Sequence, residues 1–264
     1  MKSVLFSLLA VAACVYIFFC AYLYLFQRSF IYFPTPAVDG AFAEELWVDS
    51  DGERIRLWQL HATGQDAILY LGGNAEDVSL NIPEFADWFP HQAIYLVNYR
   101  GYGGSSGSPS ESGLFRDAVV IFDSIQDAHR GVSVIGRSLG AAVAVHLAST
   151  RDVQRLALIA PFDSLTGMAR EYYPIFPTSL LLKDRYDSLT RVDRIRAPVL
   201  LIIAGRDEII PRESTERLAH AIAPSLVSVA VIDDAGHNTI DAFPEYGHAL
   251  RTFIAGPNRK AAQE

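Results

Sequence analysis

Cysteine is almost absent from this chain: there are two, Cys14 and Cys20, in 264 residues. Both lie inside one apolar N-terminal run, which excludes a disulfide framework for the rest of the chain in either redox compartment. No C-x-x-C, H-E-x-x-H or acidic calcium loop occurs, so no metal centre is expected. Basic residues are in deficit, with 22 Lys and Arg against 30 Asp and Glu and a formal charge of −8. That balance argues against a nucleic-acid partner, which needs a basic face. No G-x-G-x-x-G follows a strand-like run. The glycine-rich stretch 101–107 lacks a following Lys-Ser or Lys-Thr, so it is no phosphate loop, and no cofactor is expected. Internal repeats, low-complexity tracts and long charge runs are also missing. Half of the residues are hydrophobic, enough at this length for one large α/β core.

Residues 4–26 hold no charge and are rich in Leu, Phe, Val, Ala and Tyr. At about 1.5 Å of rise per residue, that run is long enough to cross a hydrocarbon core of roughly 30 Å. Tyr22, Tyr24 and Phe26 fit an interfacial aromatic belt, and Gln27-Arg28 ends the run. A cleaved signal peptide has a shorter apolar region that ends at small residues. The expectation is therefore an uncleaved single-pass anchor over residues 1–28. Val11-Ala12-Ala13-Cys14 resembles a lipoprotein cleavage box, but processing there would leave a strongly apolar mature N-terminus. Lys2 and Arg28 flank the run with one basic residue on each side, so charge does not set its orientation.

The densest chemical signal is Gly136-Arg137-Ser138-Leu139-Gly140. It follows the β-branched run Val132-Ser133-Val134-Ile135 and precedes a small-residue helical stretch, 141–148. Strand, sharp turn and helix with serine at the apex describe a nucleophile elbow. A serine hydroxyl is a poor nucleophile near neutral pH and needs a base, itself oriented by an acid. Asp207 follows the buried-strand pattern 199–203, and His237 follows the run 227–232. Ser138, Asp207 and His237 are the expected catalytic residues, with Asp163 after the run 156–159 as the rival acid. The oxyanion is expected to be held by the backbone N–H groups of Leu139 and Asn74. Asn74 lies in the loop Gly72-Gly73-Asn74-Ala75-Glu76 after a third strand, 67–71.

Together Leu71-Gly72-Gly73-Asn74-Ala75-Glu76, Asn98-Tyr99-Arg100-Gly101-Tyr102-Gly103-Gly104-Ser105, the elbow, Gly205-Arg206-Asp207 and Gly236-His237-Asn238 resemble the α/β-hydrolase superfamily. The likeness is to its membrane-anchored serine hydrolases and runs from about residue 30 to 255. One departure is Gly72, where relatives commonly carry histidine. The resemblance implies an α/β fold: a mostly parallel central sheet flanked by helices over 29–255, a small cap over 164–191, and a tail over 256–264. Strands are expected at 46–48, 54–60, 67–71, 93–98, 132–135, 156–159, 199–203 and 227–232, with helices at 78–89, 113–129, 215–222 and 244–254.

The cap stretch breaks the alternation. Tyr172-Tyr173-Pro174-Ile175-Phe176-Pro177 and Leu180-Leu181-Leu182 would recognise acyl chains or face the bilayer beside the anchor; the alternative is a loop that packs its aromatics on the core. The expected activity is hydrolysis of carboxylic ester or thioester bonds of an apolar, lipid-like acyl substrate. The alternatives are a peptidase, whose amine-binding pocket would draw on Glu171, Asp184 or Asp187, and a non-catalytic membrane-bound binding protein. The expected location is the bacterial inner membrane, with the domain outside the cytoplasm. Oligomeric state is left open.

Overall fold

The computed structural model describes residues 1–39 and 43–256. The expected tail beyond Gly256 lies outside the described residues.

Strand β1 (Glu44–Ser50) turns back into β2 (Glu53–Leu60) through Asp51 and Gly52, both at positive φ (52° and 80°). That pair of left-handed residues makes the tight turn whose twist matches a hairpin. Then follow β3 (Ala67–Leu71), β4 (Ala93–Val97), β5 (Val132–Arg137), β6 (Leu156–Ile159), β7 (Val199–Ala204) and β8 (Val227–Ile232). They form one eight-stranded sheet in the order β1-β2-β4-β3-β5-β6-β7-β8. Pairings β1–β2 and β2–β4 are antiparallel and the rest are parallel. Every residue of β3, β4 and β7 is buried. Continuous apolar runs such as Ala-Ile-Leu-Tyr-Leu suit strands covered on both faces.

Helices α3 (Glu111–Ile125), α4 (Leu139–Thr150) and α7 (Arg212–Ala221) cover one face; α2 (Ile82–Trp88) and α8 (Pro244–Ala255) cover the other. Leu114, Ile121, Val143 and Leu147 close the first layer on Leu69 and Val134. Phe85, Tyr246 and Leu250 close the second on Tyr70 and Ile94. Each fully buried Leu, Ile or Phe in these layers contributes about 1.5–3 kcal/mol.

The helix expected over 78–89 divides in two: a 3₁₀ turn at Val78–Asn81, capped by Asp77, and then α2. Pro83 is the reason. It has no N–H to give to the Ser79 carbonyl, and the Ile82 N–H takes that carbonyl in the tighter 3₁₀ pattern. The helix expected over 113–129 runs as α3 from Glu111, with Ser110 Oγ capping Gly113, and ends in a 3₁₀ turn at Gln126–Ala128.

At the N-terminus α1 (Lys2–Ile31) is one helix long and apolar enough to cross a membrane, with a mean hydropathy of 2.6 over its best 18-residue window. It continues past the expected end at Arg28 to Ile31, and its last turns dock on the segment after β6. That segment carries two short helices, α5 (Leu165–Tyr172) and α6 (Thr178–Leu181). Gln27 is only 6% exposed; it donates to Leu181 O at 3.0 Å and accepts from Lys183 N at 2.7 Å. Arg28 pairs with the buried Asp184 at 2.9 Å, and Tyr32 also donates to Asp184. The charge that ends the apolar run is thus paired with the domain, and the helix runs on through Arg28, a good helix former, to Ile31.

Among the described residues, one arginine–carboxylate pair has both side chains buried. Arg100, after β4, is clamped by Asp117 of α3 through two parallel bonds, the Nε–Oδ2 one at 2.7 Å, with both groups buried. Truncating one partner strands the other charge without water. Asp117→Ala is therefore expected to destabilise the fold by about 3–5 kcal/mol, read as a lowered thermal midpoint. An unchanged midpoint contradicts this placement of the pair.

Candidate active site

The strand order explains where the site lies. From β3 the chain goes outward to β4 on one side, and β5 lies on the other. The loops after β3 and β5 therefore part at a switch point, and a crevice opens between them at the carboxyl ends of the strands.

Ser138, between β5 and α4, has φ 51° and ψ −112°, a conformation that β-carbon sterics disfavour. Its neighbours hold it there. A β-carbon on Gly136 would lie 2.4 Å from Gly140 O, and one on Gly140 would lie 2.0 Å from Leu71 O. Both glycines are required by the close packing of α4 onto β3 and β5. The Ser138 N–H donates to Ile159 O at 2.8 Å, tying the apex to β6.

His237 approaches from the loop after β8, with Nε2 3.0 Å from Ser138 Oγ. Its Nδ1 is 2.8 Å from Asp207 Oδ2, from the loop after β7, and both of these side chains are buried. Asp207 Oδ1 accepts the N–H groups of Ile209 and Ile210 at 2.9 and 2.7 Å, which fixes the orientation of the carboxylate. The three residues singled out from the sequence thus form one hydrogen-bonded chain across three loops. Asp163 is occupied elsewhere. It accepts from Arg217 Nε at 2.7 Å, from Ser214 Oγ at 2.9 Å and from Ser164 N.

Other polar residues, not anticipated from the sequence, shape the same loops. Glu208 accepts the His237 N–H at 3.2 Å. Arg137 donates to His237 O at 3.3 Å and pairs with Asp241 at 3.2 Å. Burial alone would lower the Arg137 guanidinium, but Glu76, Tyr70, Tyr246 and Asp241 outweigh it and hold it above its ordinary value. Arg137 is a permanent cation beside the serine. Glu76 closes the glycine loop, accepting from Gly73 N, from Tyr70 OH at 2.6 Å and from Asn81 Nδ2 at 2.7 Å. A carboxylate three residues beyond Gly73 is the one sequence cue for that role.

Asn74 lies beside Ser138 in a cleft of about 310 Å³. Its side chain has work of its own. Oδ1 accepts from Phe33 N at 3.0 Å and Tyr102 OH at 2.8 Å, and Nδ2 donates to Ile31 O at 2.6 Å. The end of α1 is therefore bonded directly to the loop lining the cleft. Of the cap acids named for an amine pocket, Asp184 is consumed by Arg28 and Tyr32. Asp187 accepts from the Thr190 N–H, and Glu171 is exposed.

Because α4 meets β3 without room for a methyl group, Gly140→Ala is expected to cost at least about 1–3 kcal/mol and to displace Ser138. Gly73→Ala meets nothing closer than Glu76 Oε2 at 3.1 Å, against backbone at 2.0 Å for Gly140, and should cost less. Thermal unfolding of the two variants in parallel checks the ranking, and equal midpoints contradict it.

A family model described as "alpha/beta hydrolase fold" matches residues 66–190. An uncharacterized protein of Mycobacterium tuberculosis, Rv2307c, is 37% identical over 228 residues, covering 80% of each chain. The alpha/beta hydrolase domain-containing protein aho-3 of Caenorhabditis elegans is 29% identical over 170 residues, covering 61% of this chain and 48% of that protein. Among solved structures, the esterase Pf2001 of Pyrococcus furiosus superposes with a TM-score of 0.66 at 20% identity, covering 84% of this chain and 96% of its own. An esterase from Exiguobacterium antarcticum gives 0.65 at 15% identity, covering 81% and 100%. Strand order, family match and relatives agree: the chain belongs to the α/β-hydrolase superfamily.

Proposed function

We propose that this protein is a membrane-anchored serine hydrolase that cleaves carboxylic ester or thioester bonds of an apolar acyl substrate. The observation that carries the reading is the unbroken chain from Ser138 Oγ through His237 to Asp207, at 3.0 and 2.8 Å. Two esterases among the structural neighbours favour an acyl substrate.

Each residue then has a definite task. Ser138 Oγ attacks the acyl carbon while its proton passes to His237 Nε2, and the imidazolium is stabilised by Asp207, which keeps its charge. The carbonyl oxygen becomes an oxyanion, held by the N–H groups of Leu139, at the start of α4, and Asn74. Gly73 is not the second donor because its N–H is bonded to Glu76. Collapse of the tetrahedral species breaks the bond to the alcohol or thiol, which leaves with the proton from His237. Water, deprotonated by His237, then attacks the acyl-enzyme and restores the Ser138 hydroxyl. Side chains and backbone amides suffice for every step.

In the same reading α1 is retained as an anchor. Gln27 and Arg28 form buried or half-buried bonds to the domain, and a segment removed after export has no need of them. The substrate is then met at a membrane surface, which suits lipids and lipid-modified molecules.

Fluorophosphonate labelling and p-nitrophenyl ester turnover by the full chain test the assignment. Both are expected to disappear in Ser138→Ala, turnover falling by about 10⁴-fold or more. Labelling that survives the substitution rejects the nucleophile. Asp207→Asn is expected to lower kcat by about 10³–10⁴-fold, while Asp163→Asn stays within a few-fold of the parent; similar losses from both would overturn the choice of acid.

A further inference from the structure

We infer that the cap segment 172–182 is a re-entrant loop that enters the hydrocarbon of the leaflet beside the domain, next to α1. The partner of this surface is the acyl layer of a lipid bilayer. The inference rests on the reading of α1 as a membrane span and goes beyond it.

The register of the cap along α1 carries the argument. Tyr16 OH donates to Ile175 O at 2.8 Å, and the Tyr16 ring stacks on Phe176 with centroids 5.9 Å apart. Further along, Lys183 Nζ lies 4.1 Å over the Tyr24 ring, Gln27 bonds to Leu181 and Lys183, and Arg28 pairs with Asp184. The cap therefore climbs α1 from the level of residue 16 to the level of residue 28. Arg28 ends the uncharged run and marks its boundary with water. Twelve residues at 1.5 Å put Tyr16 about 18 Å further along the axis. Even with the helix tilted by about 40°, that is a depth of about 14 Å, close to half of a 30 Å hydrocarbon core. The part of the cap bonded to Tyr16 shares that depth.

Composition and backbone satisfaction agree with the placement. Residues 172–182 contain no charged side chain, and the charges begin immediately outside, with Arg170 and Glu171 before and Lys183, Asp184 and Arg185 after. Ile175 is 72% exposed and Leu180 77%, while Tyr172 and Tyr173 are also exposed. Large apolar side chains projecting together from one segment mark a surface that is covered in use. In hydrocarbon every backbone polar group needs an internal partner. Pro174 and Pro177 remove two donors. Of the nine N–H groups left in 172–182, six bond within the cap, those of Tyr173, Phe176, Thr178, Leu180, Leu181 and Leu182. Ile175 O and Leu181 O are served by Tyr16 and Gln27 of α1. The bond from Tyr16 equally relieves a phenol in the middle of an apolar helix. Because Asn74 binds Ile31 and Phe33 at the other end of the docked stretch, the Ser138 cleft opens where α1 leaves the bilayer.

Nitroxide depth measurement tests this on the full chain with Cys14→Ala and Cys20→Ala, in phosphatidylethanolamine–phosphatidylglycerol vesicles. Single labels go on Ile175→Cys and Leu180→Cys, with references at Leu9→Cys in α1 and Val229→Cys on the edge strand β8. The cap labels are expected to resemble the Leu9 label, with collision rates several-fold higher for oxygen and lower for a water-soluble nickel chelate than at Val229. Cap labels that match Val229 while Leu9 reads hydrocarbon overturn the inference and leave the anchor intact. A Leu9 label open to nickel overturns the anchor and the inference together. Cap labels shielded from both reagents overturn it in favour of a protein contact, such as a second copy of this chain.

Discussion

The close approach of α4 to the end of β3 is the constraint on which the site depends. Gly140 lets the first turn of α4 lie against the Leu71 and Gly72 carbonyls, where a methyl group would overlap them. The approach forces the chain between β5 and α4 into the positive-φ turn at Ser138. It also brings the loop after β3 alongside the serine. Parallel strands with the reversal of direction between β3 and β5 supply the crevice. The tight packing supplies the strained apex within it. The strain is offset by the buried α4 layer, in which Ala141 and Ala144 pack closely on Gly136 of β5.

The N-terminal helix is part of the same structure. Its apolar stretch faces outward, but its last turns are polar and bonded: Gln27 and Arg28 to the cap, Ile31 and Phe33 to Asn74. The end of α1, the segment after β6 and the cleft loop therefore meet at one place. In the proposed reading this gives the helix two duties, concentrating the enzyme at a lipid surface and presenting its cleft to that surface.

Much of this was legible in the residues before any coordinates. Buried parallel strands are uninterrupted apolar runs, so the positions just after them, Ser138, Asp207 and His237, stood out as polar residues at loop starts. The choice of Asp207 over Asp163 followed from loop position, and the bonds of Asp163 to Arg217 and Ser214 give it another occupation. What stayed hidden depends on partners far away in the chain. Glu208, Arg137 and Glu76 look like ordinary polar residues at a strand end or in loops until the fold sets them against His237, Asp241 and Tyr70. The apolar run ends at Arg28 and says nothing of the helix beyond it; the pairing of Arg28 with Asp184, distant in sequence, had no local signature. The division of the 78–89 helix was visible in Pro83 and was outweighed there by apolar periodicity. Asn74 was singled out for its backbone, while its side-chain hold on α1 had no local signature.

The most direct test of the central claim is to trap the covalent intermediate. Acid quenching during the pre-steady-state burst with p-nitrophenyl butyrate, followed by peptide mass spectrometry, locates the acyl group. The account predicts a butyryl mass on the peptide containing Ser138 and on no other. Ester turnover with the butyryl group on a different residue, or with Ser138 unmodified throughout the burst, would contradict it.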